Sequence, residues 1–134
     1  MKISEITYIG GLRAEAKHLK SGNRIITDAP VDNNGKGEAF SPTDLMSSSL
    51  GSCMLTIMGI VASRHNLDIK GARAEISKMM AADPRRVSEV VVEFAMPPND
   101  FSEKDKQLLE RAARTCPVAL SLHPDLKQTI IFNY

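Results

Sequence analysis

The first part of the chain alternates apolar and polar residues with the two-residue period of β-strands. Residues 3–9 predict a short strand, which Gly10-Gly11 ends, and residues 12–18 alternate closely. The turn signal Ser21-Gly22-Asn23 then leads into a further apolar run at residues 24–27. Together these segments predict a β-hairpin, followed by a loop rich in Gly, Asn and Pro.

The clearest helix signal follows that loop. Ser41 is a favourable N-cap residue, Pro42 suits the first helical position, and Asp44 lies in the first turn, where the helix dipole favours an anion. Residues 45–64 are apolar or small on nearly every side. That pattern is typical of a helix that is buried on most of its faces.

Strand patterns return at residues 69–80 and 87–96, and again at residues 126–132 near the end of the sequence. A turn at residues 83–86 separates the first two of them. Together with the helices, these strands predict an α+β fold in which an antiparallel sheet packs against one central buried helix.

Two helices are expected between the last two strands. Ser102 with Asp105 three positions later resembles a capping box, which opens a helix that runs through Thr115. Pro117 cannot extend that helix from within, so a second, short helix over residues 117–123 is expected to begin there.

Composition narrows the class of protein. A chain of 134 residues fits one domain, since domains cluster at about 100–150 residues. The net charge of +1 provides no basic field for nucleic acid. The start lacks a secretory apolar segment, and polar residues interrupt the apolar run at residues 45–62, so no membrane partner is expected. Two cysteines are too few for a disulfide scaffold, and we expect a cytoplasmic protein.

The cysteines are the principal candidates for chemistry at neutral pH. Cys53 lies on the long helix among apolar neighbours, where a free cysteine commonly serves as a small buried hydrophobe. Cys116 directly precedes Pro117, so its thiol is expected beside a helix N-terminus, which lowers a thiol pKa. The alternative for Cys116 is a buried connecting residue.

Other chemistries find little support. Cys53, Cys116 and His123 match no compact metal-binding spacing, so neither a metal nor another cofactor is expected. Gly10-Gly11 lies between strands rather than before a helix, which disfavours a phosphate-binding loop. The serines near Cys53 lack the setting of a hydrolase nucleophile.

Three segments carry a resemblance to a known family. Ser41-Pro42-Thr43-Asp44-Leu45, Leu50-Gly51-Ser52-Cys53 and Thr115-Cys116-Pro117-Val118-Ala119 are similar to motifs of the OsmC/Ohr family, small cysteine-dependent peroxidases that reduce organic hydroperoxides. The resemblance covers essentially the whole chain. It implies a single OsmC-like domain over residues 1–134, with antiparallel sheets wrapped around a buried central helix in an intertwined homodimer.

The resemblance also implies roles for individual residues. Cys53 matches the peroxidatic cysteine, which becomes a sulfenic acid, and Cys116 matches the resolving cysteine, which forms a disulfide with it. A thiolate at Cys53 needs a nearby cation, for which Arg13 is the first candidate and Arg24 the alternative. A dithiol of lipoyl type or a small thiol is the implied reductant.

One position departs from the peroxidase branches, which usually carry a glutamate directly after the proline. This chain has Thr43 there and an acid one place later, Asp44. We include Asp44 as a candidate catalytic residue. However, it lies nine residues before Cys53, on the opposite side of an ideal helix, so it is alternatively a first-turn carboxylate.

The implied active site lies at the subunit interface. The small residues between Ser47 and Ser52 agree with close packing of the two central helices. Apolar residues are expected to line the pocket and to favour fatty-acid-like hydroperoxides over hydrogen peroxide. The expected lining residues are Met46, Leu50, Met54 and Leu120.

The sequence thus leads to a thiol-dependent peroxidase of oxidative-stress defence as the main hypothesis. Because Thr43 replaces the usual glutamate, a non-catalytic protein that binds apolar ligands is an alternative. A thiol–disulfide exchange protein that uses Cys53 and Cys116 on protein partners is a third possibility.

Overall fold

Six strands, three α-helices and a short 3-10 turn at Val31–Asn33 make up the computed structural model, which describes all 134 residues. The chain divides into two compact units, Met1–Met46 and Ser47–Tyr134. In chain order the elements are β1 Ser4–Gly10, β2 Arg13–His18, β3 Arg24–Asp28, α1 Pro42–Arg64, β4 Arg73–Ala81, β5 Arg86–Ala95, α2 Glu103–Arg114, α3 Pro117–Ser121 and β6 Lys127–Asn133.

The first unit holds an antiparallel sheet in the order β1-β2-β3. Gly10 and Gly11 have φ angles of 85° and 63°, a left-handed backbone that glycine adopts without a steric penalty, and they form the turn between β1 and β2. The predicted hairpin is confirmed as β2 and β3. Its register places Arg13 opposite Asp28.

The second unit holds a sheet in the order β4-β5-β6. Strands β4 and β5 pair antiparallel, whereas β5 and β6 pair parallel. The prediction of a purely antiparallel sheet is therefore wrong for the last strand. The physical reason is the connection, because α2 and α3 together supply the long crossover that a parallel pair requires.

The predicted helix starts are confirmed. Ser102 caps α2, since its hydroxyl accepts the Asp105 amide at 3.1 Å and the Asp105 carboxylate accepts the Ser102 amide at 3.0 Å. Pro117 is the first residue of α3. The Ser102 and Asp105 side chains satisfy backbone amides that a helix start leaves without partners, whereas Pro117 has no backbone N–H that would need one.

Helix α1 buries one stripe rather than most of its surface. The buried positions recur every three or four residues, as one helical face requires. Other positions are partly or largely exposed, among them Ile60 at 43%. The expectation of burial on most faces is thus not met within this chain. The buried residues are Ser47, Leu50, Gly51, Met54, Met58 and Ala62.

The length and composition of α1 would also suffice to cross a membrane, with a mean hydropathy of 1.7 over an 18-residue window. The core helix of a soluble protein passes the same test. The buried stripe of α1 fits that second case, because its side chains join the core of the second unit.

The core of the second unit is made of apolar side chains from α1, β5 and α2. Phe94 on β5 is fully buried, and its ring stacks on Phe132 of β6 with the centroids 5.0 Å apart. A Cβ atom at Gly51 would lie 2.6 Å from the Ile76 side chain, so the missing side chain lets α1 approach β4 closely. Each fully buried large apolar side chain contributes about 1.5–3 kcal/mol. Fully buried members besides Phe94 are Leu50, Met54, Met58, Val90, Val92 and Leu109.

Candidate active site

The second unit brings its two cysteines together. Cys53 is half-buried on α1, whereas Cys116, directly before α3, is fully buried, and both are free thiols. The side chains are close enough for a hydrogen bond from one thiol to the other. Two adjacent free thiols form a redox pair, because loss of two electrons and two protons would join them in a disulfide.

Cys116 lies at the start of α3, as its position before Pro117 predicted. It is the N-cap residue, with φ −67° and ψ 151°, and its sulfur accepts a hydrogen bond from the Ala119 amide at 3.4 Å. This contact fixes the direction in which the thiol points. The Ala119 amide is also one of the donors that stabilise a thiolate at a helix N-terminus.

The expected lowering of the Cys116 pKa is nevertheless wrong. Burial raises the pKa of the Cys116 thiol, and the neighbouring Cys53 raises it further, whereas the Ala119 amide lowers it only in part. Removing a thiolate from water costs more than the Ala119 and Val118 amides at the start of this five-residue helix restore. Cys116 is therefore held as a neutral thiol at neutral pH.

Arg13 is held by carboxylates within the first unit. Its Nε donates to Oδ1 of Asp28 at 2.7 Å and its Nη2 to Oδ2 at 3.0 Å, a two-pronged ion pair. Nη2 also donates to Glu38 at 3.2 Å. The hydrogen bond to Asp28 is the main reason that the pKa of Arg13 is raised, and its counterpart lowers the pKa of Asp28.

The sequence analysis did not identify Asp28 and Glu38 as partners of Arg13. The signal for Asp28 was available, since it lies opposite Arg13 once the hairpin register is set. Glu38 depends on the loop before it, where a Cβ atom at Gly35 would lie 1.7 Å from the Ala29 carbonyl oxygen. Only glycine fits at this position. The local sequence pattern does not predict how the loop turns there.

The alternative arginine, Arg24, has a different partner. It forms an ion pair with Glu15 across the β2–β3 hairpin, and more than half of its side chain is exposed. An exposed pair of this kind contributes little to stability.

Asp44 forms a capping box with Ser41 at the start of α1. The Ser41 hydroxyl accepts the Asp44 amide at 3.0 Å, and the Asp44 carboxylate accepts the Ser41 amide at 3.0 Å. The Ser41 hydroxyl also lies 3.2 Å from that of Thr43. The structure therefore gives Asp44 the role of a first-turn carboxylate.

The four residues expected to line an apolar pocket differ in exposure. Leu50 and Met54 are fully buried in the core, and Met46 is half-buried. Leu120 on α3 is 72% exposed. Of the four, Met46 and Leu120 have surface that a ligand could reach, whereas Leu50 and Met54 belong to the core.

The histidines have contacts that do not involve the cysteines. His18 bonds Ser21 in the hairpin, and the exposed His123 lies 3.9 Å from Asp125. His65 lines a surface cavity of about 350 Å³ together with Lys104, Asp105, Gln107, Leu108 and Arg111. No group of three His, Cys, Asp or Glu side chains is arranged to hold a metal ion.

Comparison with known proteins finds a family model that matches most of the chain. Residues 35–130 match the family model described as OsmC-like protein. A crystal structure from Psychrobacter arcticus 273-4, named as an osmotic stress induced and detoxification response protein, is 55% identical in sequence. It superimposes with a TM-score of 0.95, covering 99% of this chain and 96% of that one. No curated protein matches the sequence.

Two more distant structures share the fold. One, from Legionella pneumophila, is named as an organic hydroperoxide resistance protein OsmC and redox protein; it is 13% identical, with a TM-score of 0.74 over 100% of this chain and 98% of that one. The other, from Vibrio cholerae O1 biovar eltor str. N16961, is named as an organic hydroperoxide resistance protein and holds captopril in one active site. It is 17% identical, with a TM-score of 0.73 over 99% and 92% of the two chains.

Proposed function

The chain belongs to the OsmC-like protein family, and from that premise we propose that it is a thiol-dependent peroxidase that reduces organic hydroperoxides in oxidative-stress defence. The observation that carries the proposal is the contact between the half-buried Cys53 and the buried Cys116. Relatives named for organic hydroperoxide resistance share the fold and support the choice of substrate class.

The chemistry proceeds in two oxidative steps. The Cys53 thiolate attacks one oxygen of the hydroperoxide O–O bond, which breaks to leave a sulfenic acid on Cys53 and an alcohol once the leaving oxygen takes a proton. The Cys116 sulfur then attacks the Cys53 sulfur, so that a disulfide forms and water leaves. A dithiol reductant, of lipoyl type or a small thiol, returns both cysteines to the reduced state.

Arg13 is proposed as the cation that supports the Cys53 thiolate, with Arg24 as the alternative. Asp28 and Glu38 hold the Arg13 guanidinium in one orientation through Nε and Nη2. These two carboxylates fix the orientation of the guanidinium and offset its charge, so the support for Arg13 comes from the family resemblance. Asp44 already serves the cap of α1, which makes it the weakest of the proposed catalytic residues.

Apolar contacts with the hydroperoxide are proposed for the accessible residues of the expected pocket. Met46 and Leu120 each have exposed surface for a hydrocarbon chain, whereas Leu50 and Met54 are fully buried. Apolar surface of this kind favours bulky organic hydroperoxides over hydrogen peroxide.

Intact mass spectrometry tests the mechanism. After one equivalent of cumene hydroperoxide we expect the parent protein to lose about 2 Da, as the disulfide forms. Cys116→Ser should gain about 16 Da, as a sulfenic acid accumulates on Cys53. Cys53→Ser should keep its mass, and it serves as the control for Cys116.

Other outcomes would contradict the mechanism. A gain of about 16 Da in Cys53→Ser with none in Cys116→Ser would make Cys116 the nucleophile instead. If all three proteins stay reduced, the peroxidase proposal fails. The non-catalytic protein that binds apolar ligands would then lead, and transfer of a preformed disulfide to a reduced client protein would favour thiol–disulfide exchange instead.

A homodimer is proposed as the working assembly. The supporting observation is the unburied apolar surface of α1, including Ile60 at 43% exposure, together with exposed apolar residues of the first sheet such as Ile6 and Tyr8. Exposed large apolar side chains are common where a protein contacts a partner.

A further inference from the structure

The two cysteines of the thiol pair are unequally buried. Cys116 is fully buried, whereas Cys53 is half-buried. A hydroperoxide has to reach Cys53 in the first step of the proposed function, so the same opening is available to a reducing thiol. Thiol–disulfide exchange needs approach to one particular sulfur, along the axis of the bond that breaks.

We infer that the reductant attacks the Cys53 sulfur of the Cys53–Cys116 disulfide and expels Cys116 as the leaving thiolate. The inference rests on the disulfide of the proposed function and adds the direction in which it is reduced. It implies that the protein-bound intermediate joins Cys53, and not Cys116, to the reductant.

The steps balance for a dithiol reductant. Its first thiolate bonds to Cys53 while the Cys53–Cys116 bond breaks, and the electron pair leaves on Cys116. Its second thiolate then attacks the reductant's own sulfur in the mixed disulfide, which releases the Cys53 thiolate. The reductant leaves as a cyclic disulfide, oxidised by two electrons, and the two cysteines take up protons.

The start of α3 prepares Cys116 for the role of leaving group. Its sulfur already accepts the Ala119 amide at 3.4 Å, a donor that would receive the negative charge as the disulfide breaks. Burial raises the pKa of the Cys116 thiol and by itself slows departure. The part of that increase that comes from Cys53 disappears in the mixed disulfide, because Cys53 is then neither a thiol nor a thiolate.

Accessibility and leaving-group quality thus act in opposite directions, and accessibility decides. A less stable leaving thiolate slows exchange in proportion, whereas a sulfur with none of its surface exposed cannot be attacked until the structure opens.

Trapping the mixed disulfide tests the inference. The parent is oxidised in parallel with cumene hydroperoxide and with diamide, mixed briefly with 2-mercaptoethanol, and quenched with N-ethylmaleimide in denaturant, so that buried thiols are labelled too. The products are then mapped by peptide mass. We expect mercaptoethanol on Cys53 and maleimide on Cys116. The reverse assignment would overturn the inference, and so would the failure of both oxidants to form the disulfide.

The two oxidants separate this inference from the proposed function. Mercaptoethanol on Cys53 after diamide, with no disulfide after the hydroperoxide, would support the direction of reduction and contradict the peroxidase. The opposite combination, a disulfide from the hydroperoxide with the adduct on Cys116, would support the peroxidase and overturn the direction.

Single-cysteine proteins give a second measurement that needs no internal disulfide. With 4,4′-dithiodipyridine at pH 7, Cys53 in Cys116→Ser should exchange at least ~10-fold faster than Cys116 in Cys53→Ser, because exchange rates follow access to the sulfur. Equal rates, or faster exchange at Cys116, would overturn the inference. Circular dichroism spectra that match the spectrum of the parent establish that both variants are folded.

Discussion

Asp28 keeps its charge although only 1% of its surface is exposed to solvent. Both of its oxygens accept bonds from Arg13, and Oδ2 also accepts the Glu38 amide at 3.0 Å. These bonds hold the pKa of Asp28 below its ordinary value. A folded-state pKa below the unfolded value gives stability that is present above the unfolded pKa and is lost as the pH falls through the folded one.

Acid titration of stability tests this residue. The free energy of unfolding of the parent should fall as the pH drops below about 4, near the unfolded aspartate pKa. Asp28→Asn should be less stable than the parent at pH 7, because it loses the ion pair, and should show a shallower acid decline. Urea midpoints between pH 3 and 7 measure both effects.

Asp125→Asn is the matched control, since that side chain is 87% exposed. It should follow the parent at every pH. If Asp28→Asn keeps the parent's acid decline, the Arg13 pair does not contribute to stability in the way proposed.

At the scale of single elements, the helices begin at residues whose side chains satisfy the backbone. Ser102 and Asp105 form the capping box of α2, and Ser41 and Asp44 form one at α1. Such caps act locally, within three residues, so they operate in the same way in each sequence that contains them.

Ser102→Ala should therefore lower the free energy of unfolding by about 1 kcal/mol, the usual cost of losing an N-cap oxygen. Urea unfolding measures the change. Ser63→Ala is the control, because that exposed hydroxyl donates to the Ile60 carbonyl and caps no helix start. A loss at Ser63 equal to the loss at Ser102 would contradict the capping role.

Whether a feature depends on nearby or on distant residues explains what the sequence could predict. The starts of α1, α2 and α3 were predictable from Ser41, Ser102 and Pro117, because caps are local. The direction of β6 was not, since its pattern is the same whether its partner runs parallel or antiparallel. Strand β4 begins at Arg73 rather than at residue 69, because Gly71, with φ 91°, lies in the turn before it.

The candidate site was predictable in its residue types but not in its environment. Cys53 and Cys116 follow from the family motifs, and the structure brings them into contact. The pKa of Cys116 depends on burial by distant segments, which outweighs the local helix start that the sequence displays. The partners of Arg13 likewise come from another strand and a loop.

At the scale of the whole molecule, the unburied apolar surface supports the proposed homodimer. Ile60 projects from α1 away from the buried stripe, and Ile6, Tyr8 and Ile25 are exposed on the first sheet. The proposed homodimer would remove such surface from water, at a gain of about 25 cal/mol per Å².

Ile60→Glu should weaken the dimer at least ~10-fold, because it places a charge in an apolar contact. Size-exclusion chromatography with light scattering over a dilution series measures the change. Met79→Glu makes the same exchange on β4 at a similar exposure of 44%, so comparing the two variants separates an effect specific to α1 from the general effect of an added charge. A parent that is monomeric at every concentration would refute the homodimer.

The parallel pairing of β5 with β6 also bears on how the chain is made. A ribosome releases β5 well before β6, because α2 and α3 lie between them in the sequence. During that interval the central strand of the second sheet, with Val90, Val92 and Phe94, has one open edge. The nascent chain is therefore most exposed to aggregation, and most dependent on chaperones, until Lys127–Asn133 has left the exit tunnel.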